Sequence, residues 1–304
     1  FRYIEAAKMR VNGAECRMIT RVAESLSALF AEAGIRRVFV ESGLTLGEFD
    51  ALKRDIPGVD WQGGAELEGW MGSLRLCKTP EELARIRQAQ ALTEYGFEHI
   101  LPFIRAGRPE REIALELEFL IRKQGAEGTA FDFIVVSGPN SSLPHGVPGE
   151  RVLQDGDFVT MDFGAMVDGW RSDMTRTVAI GRVSAEQRRV YDTVLEAQAA
   201  CLSVLRAGLP CVEGDRAARD VIDRAGYTGC FGHGTGHGVG VDIHEEPRLS
   251  PGAGRTILQA DSVVTVEPGI YLEGRFGVRI EDMVRITPDG CENLTNARKE
   301  LICL

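Results

Sequence analysis

The sequence predicts an α+β fold: part of a small α/β domain over residues 1–76, then a larger domain over 77–304 built from two helix-plus-hairpin halves related by a rough twofold. Three observations carry this prediction. Helix and strand patterns alternate in the first stretch, and a strong helix start at Thr79, Pro80 and Glu82 separates it from the larger domain. Finally, "VTMDFG" followed by "RSDMTRT" is echoed later by "VTVEPG" followed by "RIEDMVRIT". Each copy offers one carboxylate after a V-T-x run and another farther along the hairpin.

In chain order, Val22, Leu26, Leu29 and Phe30 recur at helical spacing over residues 20–33, and "RRVFVES" after Gly34 reads as a strand. A short helix over 46–54 precedes Pro57-Gly58, and "WQGGAELEGWMG" reads as a glycine-broken stretch. Thr79 caps the next helix, Pro80 suits its first turn because it lacks the N–H that would go unpaired there, and Glu82 completes a capping box. A long helix follows through "EELARIRQAQALTEYGFEHILPFI". "RPEREIALELEFLIRKQG" is a second helix, stopped by Gly125, and "FDFIVVSG" has the content of a strand. "DFVTMDFGAMVDGWRSDMTRTVAIG" reads as two strands joined at Asp168-Gly169. Helices over about 185–205 and 213–225 lead to a histidine-rich segment and a closing strand pair, "DSVVTVEPGIYLEGRFGVRIEDMVRIT".

With 304 residues, 44% of them apolar, the chain can bury a sizeable core. A net charge of −10 with scattered Lys and Arg argues against nucleic acid as a partner. The seven cysteines form no C-x-x-C or zinc-ribbon spacing, and an odd number cannot all pair within one chain, so a reducing cytoplasm fits best. No run approaches the roughly 18 apolar residues of a membrane span, and no basic-then-apolar leader opens the chain. A cytoplasmic protein with no membrane partner is expected, and Phe1 suggests a start inside a longer gene product.

Three of the five histidines fall in "GHGTGHGVGVDIHEEP", among glycines at every second residue from Gly232 to Gly240. That much glycine makes a helix improbable. In extended chain, at about 3.3 Å per residue, His233 and His237 lie roughly 13 Å apart, too far to share one metal centre. One is therefore expected as a ligand and the other beside substrate. Asp162, Asp173, Glu267 and Glu281 each interrupt an apolar strand with a carboxylate. A buried carboxylate must be paired, protonated or coordinated, and four facing one another repel unless cations sit between them. Two divalent ions about 3.5–4 Å apart, bridged by carboxylates and bound by one imidazole, satisfy all five groups. H-E-x-x-H, G-x-S-x-G, P-loop and G-x-G-x-x-G patterns are absent.

"MDFGAMVDGWRSDMTRT", "GHGTGHGVGVDIHEEP", "VTVEPGIY" and "GVRIED" together resemble the metallopeptidases of the pita-bread (creatinase/aminopeptidase-like) fold, which include methionine aminopeptidase, prolidase and aminopeptidase P. The Xaa-Pro branch fits best. The resemblance covers about residues 78–304, and residues 1 to about 72 are similar to the latter part of that branch's amino-terminal creatinase/prolidase-like domain, its opening strands missing. It implies a dinuclear-metal exopeptidase that hydrolyses Xaa-Pro bonds, as a dipeptidase or an aminopeptidase, by attack of a metal-bridging hydroxide. By the same resemblance Asp162, Asp173, His237, Glu267 and Glu281 are the ligands, with Asp173 and Glu281 bridging. The resemblance implies manganese for the two ions, with cobalt or zinc as alternatives. Glu267 would also carry a proton to the leaving nitrogen. His145, His233 and His244 would donate to the developing oxyanion or orient the peptide. Arg279 and Tyr271 would support the ligands or touch substrate. Proline-containing peptides are the implied substrates and a homodimer the implied assembly.

An Xaa-Pro bond is a tertiary amide without an N–H, so such a site must fit the ring and protonate a departing secondary amine. Two other functions stay open. An aminopeptidase of other specificity on the same fold is disfavoured by "HEEP" and the extra amino-terminal domain, and a non-catalytic peptide-binding protein is disfavoured by the complete ligand set. His99 is expected to be structural or on the surface, Arg255 a solvated loop residue, and the cysteines packing residues.

Overall fold

A computed structural model describes residues 3–304, and the chain divides into two compact units, Phe1–Ser73 and Leu74–Leu304. The division falls within a helix, slightly ahead of residue 76. The first unit contains α1 (Ile4–Arg10), α2 (Val22–Ala33), β1 (Arg37–Val40), α3 (Leu46–Asp55) and β2 (Asp60–Gly63), with β1 and β2 parallel. α4 (Ala65–Leu76) occupies the stretch that its glycines marked as broken. Glycine costs a helix only about 1 kcal/mol relative to alanine. Here Glu66 and Glu68 at the first turn and Arg75 at the last complement the helix dipole, and Trp70 packs edge-on against Phe39 with ring centroids 5.2 Å apart.

In the second unit each half runs two helices, then antiparallel strands interrupted by a short hairpin. The first half is α5 (Pro80–Ile100), α6 (Glu110–Lys123), β3 (Gly128–Thr129), β4 (Ile134–Ser137), β5 (Phe158–Phe163), the hairpin β6 (Ala165–Val167) and β7 (Trp170–Arg171), and β8 (Met174–Ala179). The second is α7 (Ala185–Val204), α8 (Cys211–Arg224), β9 (Gly236–Gly238), β10 (Glu245–Leu249), β11 (Val263–Val266), the hairpin β12 (Gly269–Leu272) and β13 (Phe276–Arg279), β14 (Asp282–Ile286) and β15 (Cys291–Asn293). The Thr79–Glu82 capping box opens α5. Strands order as β4-β5-β8 in one sheet and β10-β9-β11-β14-β15 in another.

The segments expected to hold two strands each therefore hold four, because a hairpin is inserted between the long pair. The β6–β7 turn lies at Asp168-Gly169, with φ of 49° and 79°. The break before it falls at Gly164, where a Cβ would collide with the Ser172 carbonyl.

Strand alternation decides where the carboxylates go. Along β5, Val159, Met161 and Phe163 pack with Ile113, Leu117 and Ile121 of α6 and Phe97 of α5, which sends Thr160 and Asp162 to the opposite face. In the second half, Val264 and Val266 pack with Val194 and Ala197 of α7 and Ile222 of α8, leaving Thr265 on the face away from these helices. Each such fully buried aliphatic side chain contributes about 1.5–3 kcal/mol. The two half-sheets meet where Glu281 N donates to Thr175 O at 3.1 Å and Thr177 Oγ1 to Arg279 O at 3.0 Å. Cys201 and Cys211 are buried and unbridged. Among the described residues no helix is long and apolar enough to cross a membrane.

Candidate active site

Asp162 lies in β5, Asp173 immediately precedes β8, Glu267 immediately follows β11 and Glu281 immediately precedes β14. The echoed halves thus bring four carboxylates to one cleft of about 720 Å³, whose wall also includes His145, His233, His237, His244 and Arg279. His237 sits in β9, extended as its glycines require. A Cβ at Gly236 would strike the Thr265 carbonyl, and one at Gly238 the Glu246 carbonyl, so only glycine lets β9 approach its neighbours this closely.

Ligand atoms of Asp173, His237 and Glu281 lie within 4.8 Å of one another. His237 Nε2 is 3.4 Å from Glu267 Oε1 and 3.6 Å from Asp173 Oδ2, while Nδ1 is 3.0 Å from the Gly238 carbonyl. A carbonyl can only accept, so Nδ1 carries the proton and Nε2 turns a bare lone pair toward the carboxylates. The contacts have the spacing of ion pairs, yet burial holds the imidazole pKa down to about 3, so His237 is neutral and offsets no negative charge. Burial, then the charges of Glu281, Asp162 and Glu267, raise Asp173 well above the usual carboxylate range. Burial likewise lifts Glu281, with Glu267 and Asp162 adding to it, and carries Glu267 to about 8. Asp162 Oδ1 and Asp173 Oδ1 are buried with no hydrogen-bond partner among the described residues. Buried acceptors left without a donor cost about 1–3 kcal/mol each. Carboxylate oxygens left without a donor and a neutral imidazole lone pair in the same cleft form a donor set that fits divalent cations.

Surrounding groups orient this set. Thr175 Oγ1 donates to Glu281 Oε2 at 2.7 Å and Thr265 Oγ1 to Glu267 Oε1 at 3.2 Å. Arg279, 3% exposed, donates to Asp162 Oδ2 at 2.7 Å, Thr175 Oγ1 at 3.0 Å, Tyr271 Oη at 2.9 Å and the Pro144 carbonyl at 3.2 Å. Its guanidinium is therefore committed to the site wall. Tyr271, whose phenol burial pushes up to about 12, lies 2.8 Å from His233 Nε2. His233 Nδ1 is 2.9 Å from the Gly234 carbonyl. Both ring nitrogens of His233 are thus engaged, and burial followed by the Arg279 charge holds its pKa down to about 4. His145 and His244 are exposed at the cleft, and the His244 ring stands edge-on to His237 at 4.4 Å. His99 is exposed and stacks on Tyr95, outside the cleft.

One cleft residue the motifs did not reveal is Arg248. It lines the wall, half exposed, and its carboxylate partner, Glu246, is 3.9 Å away. No local motif marks it: it follows His244 by four residues, and the register of β10 shifts between Glu245 and Leu249. Arg255 is exposed and outside the wall. Glu245 meets Lys78: Nζ donates to Oε2 at 2.9 Å, with the Lys78 side chain 0% and the Glu245 side chain 7% exposed. Lys78 Nζ also donates to the Arg75 carbonyl at 2.7 Å, and Glu245 Oε1 accepts from Asp242 N at 3.1 Å. The pair pins the start of the strand that carries Arg248. Lys78→Met leaves a buried carboxylate unpaired and is expected to cost about 3–5 kcal/mol, read from chemical denaturation. A variant as stable as the parent would contradict this role.

The sequence profile of metallopeptidase family M24 matches residues 84–288. The uncharacterized peptidase YqhT of Bacillus subtilis (strain 168) is 41% identical over 310 residues, spanning 100% of this chain and 86% of the relative. A solved Xaa-Pro dipeptidase from Bacillus anthracis has a TM-score of 0.95 at 43% identity, covering 100% of this chain and 85% of its own. An X-Pro aminopeptidase from Thermotoga maritima MSB8 has a TM-score of 0.92 at 37% identity, with coverage of 100% and 86%.

Proposed function

Because this chain belongs to metallopeptidase family M24 and has its pita-bread catalytic fold, we propose that it hydrolyses Xaa-Pro dipeptides with two divalent metal ions, manganese or alternatively cobalt or zinc. Asp162, Asp173, His237, Glu267 and Glu281 would hold the ions. The unpartnered oxygens of Asp162 and Asp173 and the bare Nε2 of His237 support this assignment. Bound there, the ions supply Lewis acidity toward the scissile carbonyl and lower the pKa of water.

The chain's own groups do the rest. Glu267, whose Oε1 lies 3.4 Å from His237 Nε2 in the cleft, would carry a proton to the departing proline nitrogen. His145 and His244 offer ring N–H groups to the oxygen that gains charge. Arg279 and Tyr271 hold Asp162 and His233 in place.

Arg248 is the observation that favours a dipeptidase. A dipeptide's carboxylate lies one residue beyond the scissile bond, and this arginine offers a guanidinium at the cleft wall whose carboxylate neighbour among the described residues, Glu246, is 3.9 Å away. Loss of a charge-assisted contact is worth about 1.5–3 kcal/mol. Arg248→Met is therefore expected to raise KM for Ala-Pro by about 10–100-fold and to leave cleavage of Ala-Pro-Ala nearly unchanged. An unchanged KM for Ala-Pro would remove the dipeptidase assignment. The likeness to the Thermotoga maritima structure supports a second reading, an Xaa-Pro aminopeptidase, for which the parent protein would cleave Ala-Pro-Ala and spare Ala-Pro.

A further inference from the structure

We propose that Glu110, a buried carboxylate at the start of α6, is a positioning residue that holds His145 at the cleft. The proposal rests on the functional reading above for the peptide used in its test.

His145 lies in the segment 138–149, the first part of the connection from β4 to β5. Beyond the 3-10 turn Gly138–Ser142 this segment has no regular structure, and the His145 ring makes no hydrogen bond among the described residues. Its position is set by the backbone that carries it. Both ends of that backbone converge on one side chain. At the start, Glu110 Oε1 accepts from Ser137 N at 2.7 Å, Ser137 Oγ at 2.8 Å and Asn140 Nδ2 at 3.1 Å. Oε2 accepts from Asn140 Nδ2 at 3.2 Å and, at the far end, from Gly149 N at 3.2 Å. The first turn of α6 adds Arg111 N to the Gly149 carbonyl at 3.1 Å and Glu110 N to the Arg151 carbonyl at 3.0 Å.

On its other side the segment hangs from the β12–β13 hairpin. Gly277 N donates to Ser141 Oγ at 2.9 Å, and Arg279 reaches the Pro144 carbonyl, next to His145, at 3.2 Å. His145 is thus suspended between the arginine that holds Asp162 and a glutamate outside the cleft wall.

The chemistry of the junction requires a carboxylate. Glu110 is 0% exposed, and every group facing it is a donor. Ser137 Oγ receives Arg151 Nη1 at 2.5 Å, so its own hydrogen goes to Glu110. Arg151 is in turn held by Asp157 at 2.7 Å and 3.0 Å. The helix N-terminus also favours negative charge. Glutamine has the same shape, but it would turn an NH₂ toward Asn140 Nδ2 or Gly149 N and break at least one tie.

The test is a double-mutant cycle on Ala-Pro hydrolysis with metal-loaded protein. Glu110→Gln is expected to lower kcat by about 10–100-fold, as losses of supporting contacts do, with KM and bound metal per chain nearly unchanged. In Glu110→Gln/His145→Ala the fall should not exceed that of His145→Ala alone. Asn140→Ala, which removes one tie, should show a smaller fall and the same non-additivity, and it substitutes for Glu110→Gln should that variant not fold. Independently of turnover, amides in 138–149 should exchange faster in either variant while β5 and β8 stay protected. Unchanged exchange there, or a double variant that loses the product of the single effects, would overturn the proposal. A parent protein unable to cleave Ala-Pro refutes the functional reading instead, and hydrogen exchange still decides the role of Glu110.

Discussion

Replacing Asp173 with asparagine is expected to lower metal-dependent turnover of Ala-Pro by at least about 10³-fold without unfolding the protein. Asn keeps the shape and one carbonyl oxygen but removes the negative charge that the proposed metal ligand would supply. In the metal-free protein the same change should be harmless or stabilising. Asp173 is buried beside Glu281, Asp162 and Glu267, and burial and their charges already oppose its ionisation. The Asp173→Asn protein should therefore melt at or above the parent when chelated, and gain far less from added manganese. Retained turnover, or an equal metal-induced shift in Tm, would contradict the assignment of Asp173.

The metal-free protein should lose stability as pH rises from about 7 to 8, and metal should reverse the trend. Glu267 moves from 4.5 to about 8 on folding, and Asp173 and Glu281 are also raised. Because the folded state binds the extra protons, each group contributes stability that is full below the ordinary carboxylate pKa and lost as pH climbs through the folded value. His237 and His233 have the opposite sign. Their pKa values fall from 6.5 to about 3 and about 4, so their contribution is present above 6.5 and lost as pH drops toward those values. Above about pH 7 these histidines are largely neutral in both states and the carboxylates lead the slope, at most about 1.4 kcal/mol per pH unit per proton. Near pH 8 they are joined by the buried thiols of Cys201 and Cys211, which burial also raises. Metal needs deprotonated ligands, so its stabilisation grows over the same interval. Thermal melts of chelated and manganese-loaded protein from pH 6.5 to 8.5 test this. A flat chelated curve above pH 7, or a metal-induced shift independent of pH, would contradict it.

What could be read from sequence was local or repeated. The Thr79–Glu82 box announces α5 within four residues. The V-T-x echo marks equivalent positions in both halves, and period-two alternation along β5 then turns Asp162 away from the helices. Features that depend on distant segments meeting were not legible. Arg248 reaches the cleft beside His244 only through the fold of residues 245–249, a strand with a register shift that the local sequence around Pro247 does not announce. Glu110 is one of several glutamates in α6, and only packing sets it against Ser137, Asn140 and Gly149. The hairpin insertions escaped because their breaks, at Gly164 and at Glu267-Pro268, look like interruptions within a single strand. α4 escaped because Gly69 and Gly72 weaken a helix that packing sustains.

The most direct test of a two-metal Xaa-Pro dipeptidase is to titrate metal-stripped protein with manganese, and in parallel with cobalt and zinc, while following Ala-Pro hydrolysis. No cleavage is expected without metal, with activity rising to a plateau at two ions per chain. Cleavage undiminished by chelation, a plateau at one ion, or no cleavage with any of the three metals would contradict it.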